Sequence, residues 1–228
     1  MQTLRDPRWL WGVLVVALVG LGAATLLRSQ RARLLRQRVA GDAGHASAGG
    51  ALAGLADYGA VPDFEFVSQA GDTVRLDDLR GQVWIGDFIF THCASSCPMM
   101  QAQLERIAAA LGPDAPVRLV SFSVDPERDT PARLAEYAVA YGADPRRWLF
   151  LTGDKQQMRR LVREGFHLAV QDASPEDIAQ GAEAVLHSTR FVLVDAQGTI
   201  RGYYNGLDEE AVEQLGRDLQ RLTSEENS

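Results

Sequence analysis

Hydrophobic positions fall into three regimes along this chain. Residues 9–27 (WLWGVLVVALVGLGAATLL) form one apolar run of 19 positions without a charge. At 1.5 Å per residue a helix of that length covers about 28 Å, close to the hydrocarbon thickness of a bilayer. Residues 41–60 are rich in Gly and Ala with few large apolar groups, the composition of a flexible tether. Beyond them, strand-like and helix-like patterns alternate. Residues 63–67 and 73–76 flank a turn at 69–72 and predict a hairpin. The continuous apolar run 83–90 predicts a central strand buried on both faces. Leu104, Ile107, Ala108 and Leu111 repeat at helical spacing and predict a helix over 98–111. A second buried strand is expected at 117–124, then a helix over 130–141 with Pro131 in its first turn. Residues 148–151, 155–163 and 166–170 read as strand, helix and strand, and 171–186 as a polar insertion. Residues 191–194 and 200–204 predict a hairpin around 195–198, and an amphipathic helix over 209–222 closes the chain.

Strands alternating with helices, followed by a late hairpin and a last helix, predict an α/β fold with a mixed central sheet. The order is that of a thioredoxin-like fold with additions, preceded by one N-terminal transmembrane helix. The expected organisation is a short segment at 1–8, a membrane anchor at 9–27, a basic then Gly/Ala-rich tether at 28–56, and the folded domain at 57–228. Trp9 and Trp11 suit an interfacial aromatic belt. The small residues Gly22, Ala23 and Ala24 leave a cleaved signal peptide as the alternative.

Charge is unevenly divided. Residues 1–56 carry seven Arg against Asp6 and Asp42, a balance of +5, so the net −7 of the whole chain leaves −12 for the remainder. So acidic a domain is unsuited to nucleic acid, whose binding depends on Lys and Arg neutralising phosphates. Five of the arginines follow the apolar run, and the positive-inside rule by itself would keep the domain in the cytoplasm.

The chain has only two cysteines, Cys93 and Cys97, too few for a disulfide framework. They lie where the buried strand passes into a helix. Cys97 is expected in the first helical turn, where free N–H groups and the helix dipole favour a thiolate. Cys93 in the preceding loop can fold back towards it. Such a pair serves as a redox couple or as two soft metal ligands. Iron–sulfur clusters want four cysteines and structural zinc four ligands, whereas two thiolates and one imidazole satisfy three-coordinate Cu(I). Asp87 interrupts the apolar strand six residues before Cys93, a spacing similar to that of the buried acid of thioredoxins. There it could exchange protons during thiol–disulfide chemistry, or it could be a hydrogen-bonded polar residue at a sheet edge. Alternation points His92 away from Cys93. Met99 and Met100 are expected to pack on the helix or face solvent, and Asp125 and Asp129 to turn or cap the chain before Thr130. His45 and His167 carry no motif.

The cysteine loop THCASSCP, the segment SVDPERDTP (123–131), WLFLTG (148–153), and HSTRFVLVD (187–195) followed by Gly198 and IRGYY (200–204) together resemble the Sco/SenC family. The blocks occur in the family's order and span roughly residues 60–220. The resemblance implies a copper protein, taking Cu(I) and admitting Cu(II), with Cys93, Cys97 and His187 as ligands. It implies assistance to the copper-site subunit of cytochrome c oxidase, supply by a copper donor protein, and single-pass anchoring in the inner membrane with the domain on the exoplasmic, periplasmic side. That placement opposes the arginine count. Family loops commonly carry Pro after the first cysteine and an acidic residue within the loop; Ala94-Ser95-Ser96 has neither. A membrane-anchored thiol–disulfide oxidoreductase that reduces target cysteines is the alternative function. A thiol peroxidase fits poorly, because Thr91 stands two residues before Cys93 where that reactive loop places a hydroxyl residue three before.

Overall fold

The computed structural model describes residues 55–93, 96–112, 115–172 and 185–226, with side chains except at 170–172, 185–187 and 225–226. The expected anchor at 9–27 lies outside the described residues, as do nearly all of the tether and the centre of the polar insertion. Among the described residues no helix is long and apolar enough to cross a membrane.

The architecture grows outward from β3 (Val83–Ile89), in which every residue is buried. A strand without an exposed face must lie inside a sheet covered on both sides. β3 pairs in parallel with β4 (Val117–Ser123) and antiparallel with β8 (Arg190–Val194). Helix α1 (Ser96–Leu111) makes the β3–β4 crossover. On the far side of β8 lies β9 (Ile200–Asn205), and α4 (Glu209–Glu226) closes the chain. The βαβ unit and the ββα unit therefore meet at the β3–β8 pair, the core of the expected fold. β5 (Trp148–Thr152) adds in parallel to β4, and the hairpin of β1 (Glu65–Ser68) and β2 (Thr73–Arg75) adds antiparallel to β5. The sheet order is β2-β1-β5-β4-β3-β8-β9. In α4 the buried positions Val212, Leu215, Leu219 and Leu222 form one stripe, which explains why this helix packs on the sheet. In α2 (Pro131–Ala140) the Thr130 side chain accepts a hydrogen bond from the Arg133 N–H, and Pro131 occupies the first turn.

The core is unusually aromatic around Phe122. Its ring lies 5.6 Å from Phe64, 5.7 Å from Phe88 and 5.6 Å from Phe166, with Phe66 and Trp84 just beyond. Phe166 corrects one expectation, since of residues 166–170 only Val170 is strand. Helix α3 (Lys155–Arg160) runs into a wider π-type turn at Leu161–Gly165, and the Phe166 N–H donates to the Leu161 carbonyl. This drops Phe166 into the aromatic cluster, and His167 then turns the chain in the left-handed region at φ 51°. The strand begins only at β6 (Val170–Asp172), which pairs with β7 (Val185–His187) as a separate two-stranded sheet. Both ends of the expected polar insertion are therefore strand.

Candidate metal centre

The chain leaves β3 at Phe90 and doubles back through a turn at Thr91-His92, closed by the Cys93 N–H donating to the Phe90 carbonyl at 3.1 Å. This turn carries Cys93 over the start of α1, where Cys97 is the second helical residue. Both cysteines are buried and neither is in a disulfide. The Cys97 N–H donates to Cys93 Sγ at 3.2 Å, and Ser96 Oγ lies 3.7 Å from the same sulfur. Two soft sulfur donors thus share one point at the C-terminal end of the central strand, which is the chemistry a Cu(I) site requires.

This arrangement reverses one expectation. The first-turn amide of α1 serves Cys93, not Cys97. The Cys97 thiol is instead pushed well above the ordinary thiol range. Its hydrogen bond with Cys93 is the main cause, followed by burial, while a hydrogen bond with the Phe90 backbone works the other way and the charges of Cys93 and Asp87 add to the rise. Without metal, Cys97 holds its proton at neutral pH, and a metal ion entering the site must displace it.

Asp87 is not at a sheet edge: β3 is flanked by β4 and β8, and Asp87 has no exposed surface. Its two oxygens accept from Gln101 Nε2 and Ser121 Oγ, each at 2.6 Å, and Ser121 Oγ in turn accepts from Trp148 Nε1 at 3.0 Å. Gln101 Oε1 finds no partner among the described residues. Gln101 stands one helical turn beyond Cys97, so the carboxylate lies behind the cysteine pair on the protein side.

The backbone of His187 ends β7, and its side chain lies outside the described residues. The topology places the residues that follow it. Because β8 runs antiparallel to β3, the segment entering β8 sits at the end of β3 that leads into the cysteines. The Thr189 carbonyl accepts from the Gly206 N–H at 2.8 Å. A Cβ on Gly206 would stand 3.2 Å from the terminal methyl of Met100, the fifth residue of α1, and 2.9 Å from Phe191, so only glycine admits this closeness. Among the described residues, no group of three or more His, Cys, Asp and Glu side chains could hold a metal.

The neighbours sort as expected in part. His92 is exposed while Cys93 is buried, the result of the turn rather than of strand alternation, and its Nδ1 lies 3.2 Å from Thr91 Oγ1. Met100 is fully buried and Met99 is 58% exposed. Asp125 turns the chain, its carbonyl accepting from the Arg128 and Asp129 N–H groups. Asp129 does not cap α2. It is fully buried and bonds to Thr91, a role that nothing in the local sequence announces.

The family model described as SCO1/SenC matches residues 55–224. A SCO1 protein homolog of Bacillus subtilis is 35% identical over 166 residues, covering 72% of this chain and 83% of the relative. Two solved structures are similar in fold. One is BsSco, described as a member of the Sco family of cytochrome c oxidase assembly proteins with a disulfide switch. It is 32% identical, with a TM-score of 0.64, covering 75% of this chain and 96% of that one. The other is Bradyrhizobium japonicum ScoI with copper bound, 27% identical, with a TM-score of 0.61, covering 72% and 99%.

Proposed function

The chain belongs to the SCO1/SenC family, and on that premise we propose that it is a copper metallochaperone acting on the copper-site subunit of cytochrome c oxidase. One observation carries the reading: two buried cysteines outside any disulfide converge where β3 meets α1, in a fold shared with a Sco protein that holds copper. Cys93 and Cys97 supply two thiolates, and His187, delivered by β7, supplies the imidazole of a three-coordinate site. Copper is cargo here. It arrives from a donor protein and leaves when the target's ligands replace these three one at a time. The supporting chemistry is the softness of the sulfurs, their burial from water, and a Cys97 thiol whose raised pKa keeps it protonated until metal binding or thiol exchange draws the proton off. Such a protein is not an enzyme in the usual sense.

A second activity on the same pair is favoured by Asp87. One thiolate would attack a target disulfide and the other would resolve the mixed disulfide. The Cys93–Cys97 pair ends oxidised and the target dithiol is released ready for metal. A buried carboxylate behind the pair can take and return the proton. The two activities separate by mutation. Asp87→Asn is tolerated because Gln101 can turn its amide to present the unpartnered Oε1. It slows disulfide exchange at neutral pH by about a hundredfold, the lower end of general acid–base effects, and changes copper affinity little. His187→Ala does the reverse. Chelator competition and exchange rates measured on both variants check this; equal loss of both activities in both variants would refute the division.

Residues 9–27 are proposed to anchor the chain in the inner membrane, with the domain on the exoplasmic side where the oxidase copper site is assembled. A C-terminal reporter that works only after export should be active. Activity confined to a cytoplasmic reporter would show that the arginine cluster sets the topology.

A further inference from the structure

The turn that presents Cys93 is held from below by a residue distant in sequence. Asp129 is fully buried at the end of the loop between β4 and α2. One carboxylate oxygen accepts from Thr91 Oγ1 at 2.6 Å and the other from Ser123 Oγ at 2.6 Å, while the Thr91 N–H donates to both at 3.3 and 3.1 Å. Its own backbone is fixed, the Asp129 N–H donating to the Asp125 carbonyl at 3.0 Å. From α2, Arg133 Nε reaches Thr91 Oγ1 at 3.4 Å. Thr91 is the second residue past β3 and lies two before Cys93.

We propose that Asp129 is a positioning residue for the Cys93 thiol: by gripping both the amide and the hydroxyl of Thr91, it fixes the turn that sets the Cys93 sulfur against the Cys97 amide. The consequence for copper rests on the reading of Cys93 as a ligand. Asp129 itself is not a copper ligand, because both of its oxygens are engaged by these donors and it has no exposed surface. Nor does it serve only the core. The donors it satisfies are two groups of the cysteine turn and one hydroxyl of the adjoining strand, and hydrogen bonds to a charged acceptor are the strong ones. A loop with Ala94-Ser95-Ser96 has no proline to stiffen it after Cys93. Before Cys93, the hydrogen bonds of Asp129 to Thr91 hold the turn from outside the loop.

The test uses the full chain in detergent with Thr91→Val, which removes the hydroxyl and keeps the shape, Thr91→Ser, which restores it, and Asp129→Asn. Hydrogen exchange of the copper-free protein, melting temperature and Cu(I) retention against a chelator are read together. In Thr91→Val, exchange in the segment 90–97 rises about tenfold, the equivalent of one charge-assisted hydrogen bond, with β4 and β8 unchanged. Copper retention falls by a similar factor, and Thr91→Ser recovers both. Asp129→Asn repeats the pattern more strongly. Parental exchange in 90–97 for Thr91→Val would overturn the proposal, and so would faster exchange spread evenly over the sheet. Failure of the parent chain to hold copper would fall on the copper reading alone, because the exchange arm reads the turn directly.

Discussion

Replacing either Cys93 or Cys97 by serine lowers Cu(I) affinity by about a hundredfold or more. Structural zinc sites of four ligands bind with roughly 10–16 kcal/mol, so by analogy one strong ligand is worth on the order of 3 kcal/mol, and each 1.4 kcal/mol is about tenfold. A hydroxyl is a hard donor that does not ionise near neutrality, and it does not replace a thiolate on a soft ion. The change is nearly isosteric. The site also has polar partners for the new hydroxyl: Ser96 Oγ beside position 93, and the Phe90 backbone beside position 97. The fold should therefore survive, and the loss should appear as binding without a matching fall in melting temperature. Competition with a Cu(I) chelator measures it, and retention of stoichiometric copper by either variant would contradict the ligand assignment.

Phe122→Ala destabilises the domain by about 3–5 kcal/mol, the cost of deleting a fully buried phenyl ring and leaving a cavity. At about 2–4 °C per kcal/mol for a domain of this size, the melting temperature falls by roughly 6–20 °C. The expectation rests on position. Phe122 has no exposed surface and sits among Phe64, Phe66, Trp84, Phe88 and Phe166, so its removal leaves five rings facing a void that none can fill without shifting the others. Val139, which is 80% exposed on α2, is the comparison: Val139→Ala should leave stability almost unchanged. A Phe122→Ala protein that melts within a degree or two of the parent would mean that the cluster is not the centre of the core.

What was legible in the sequence follows the physics that writes it there. A strand buried on both faces must be apolar throughout, so β3 and β4 could be read directly, and Pro131 after Thr130 marked the start of α2. The cysteine pair was legible because its chemistry is rare and its spacing local. Long-range hydrogen bonds leave no such trace. Asp129 reads as one more polar residue ahead of a helix, and only the folded chain brings it to Thr91 across 38 positions. The π-type turn was hidden for a related reason. Residues 161–168 look like a helix followed by a short apolar strand, and what decides otherwise is the room the aromatic cluster offers Phe166. The expectation of a thiolate at Cys97 used the right helix terminus but gave its amide to the wrong sulfur, since local sequence does not say that Cys93 folds back first onto that N–H. His187 was named through resemblance alone, and the antiparallel β3–β8 pairing independently brings the segment entering β8 to the end of β3 that leads into the cysteines.

The most direct test of the account is X-ray absorption at the copper edge of the purified, Cu(I)-loaded protein, with His187→Ala beside the parent. Copper held by Cys93, Cys97 and His187 gives a shell of two sulfurs and one nitrogen in the parent, with the nitrogen lost in His187→Ala while both sulfurs remain. A shell without sulfur, or a nitrogen contribution unchanged by His187→Ala, would contradict it.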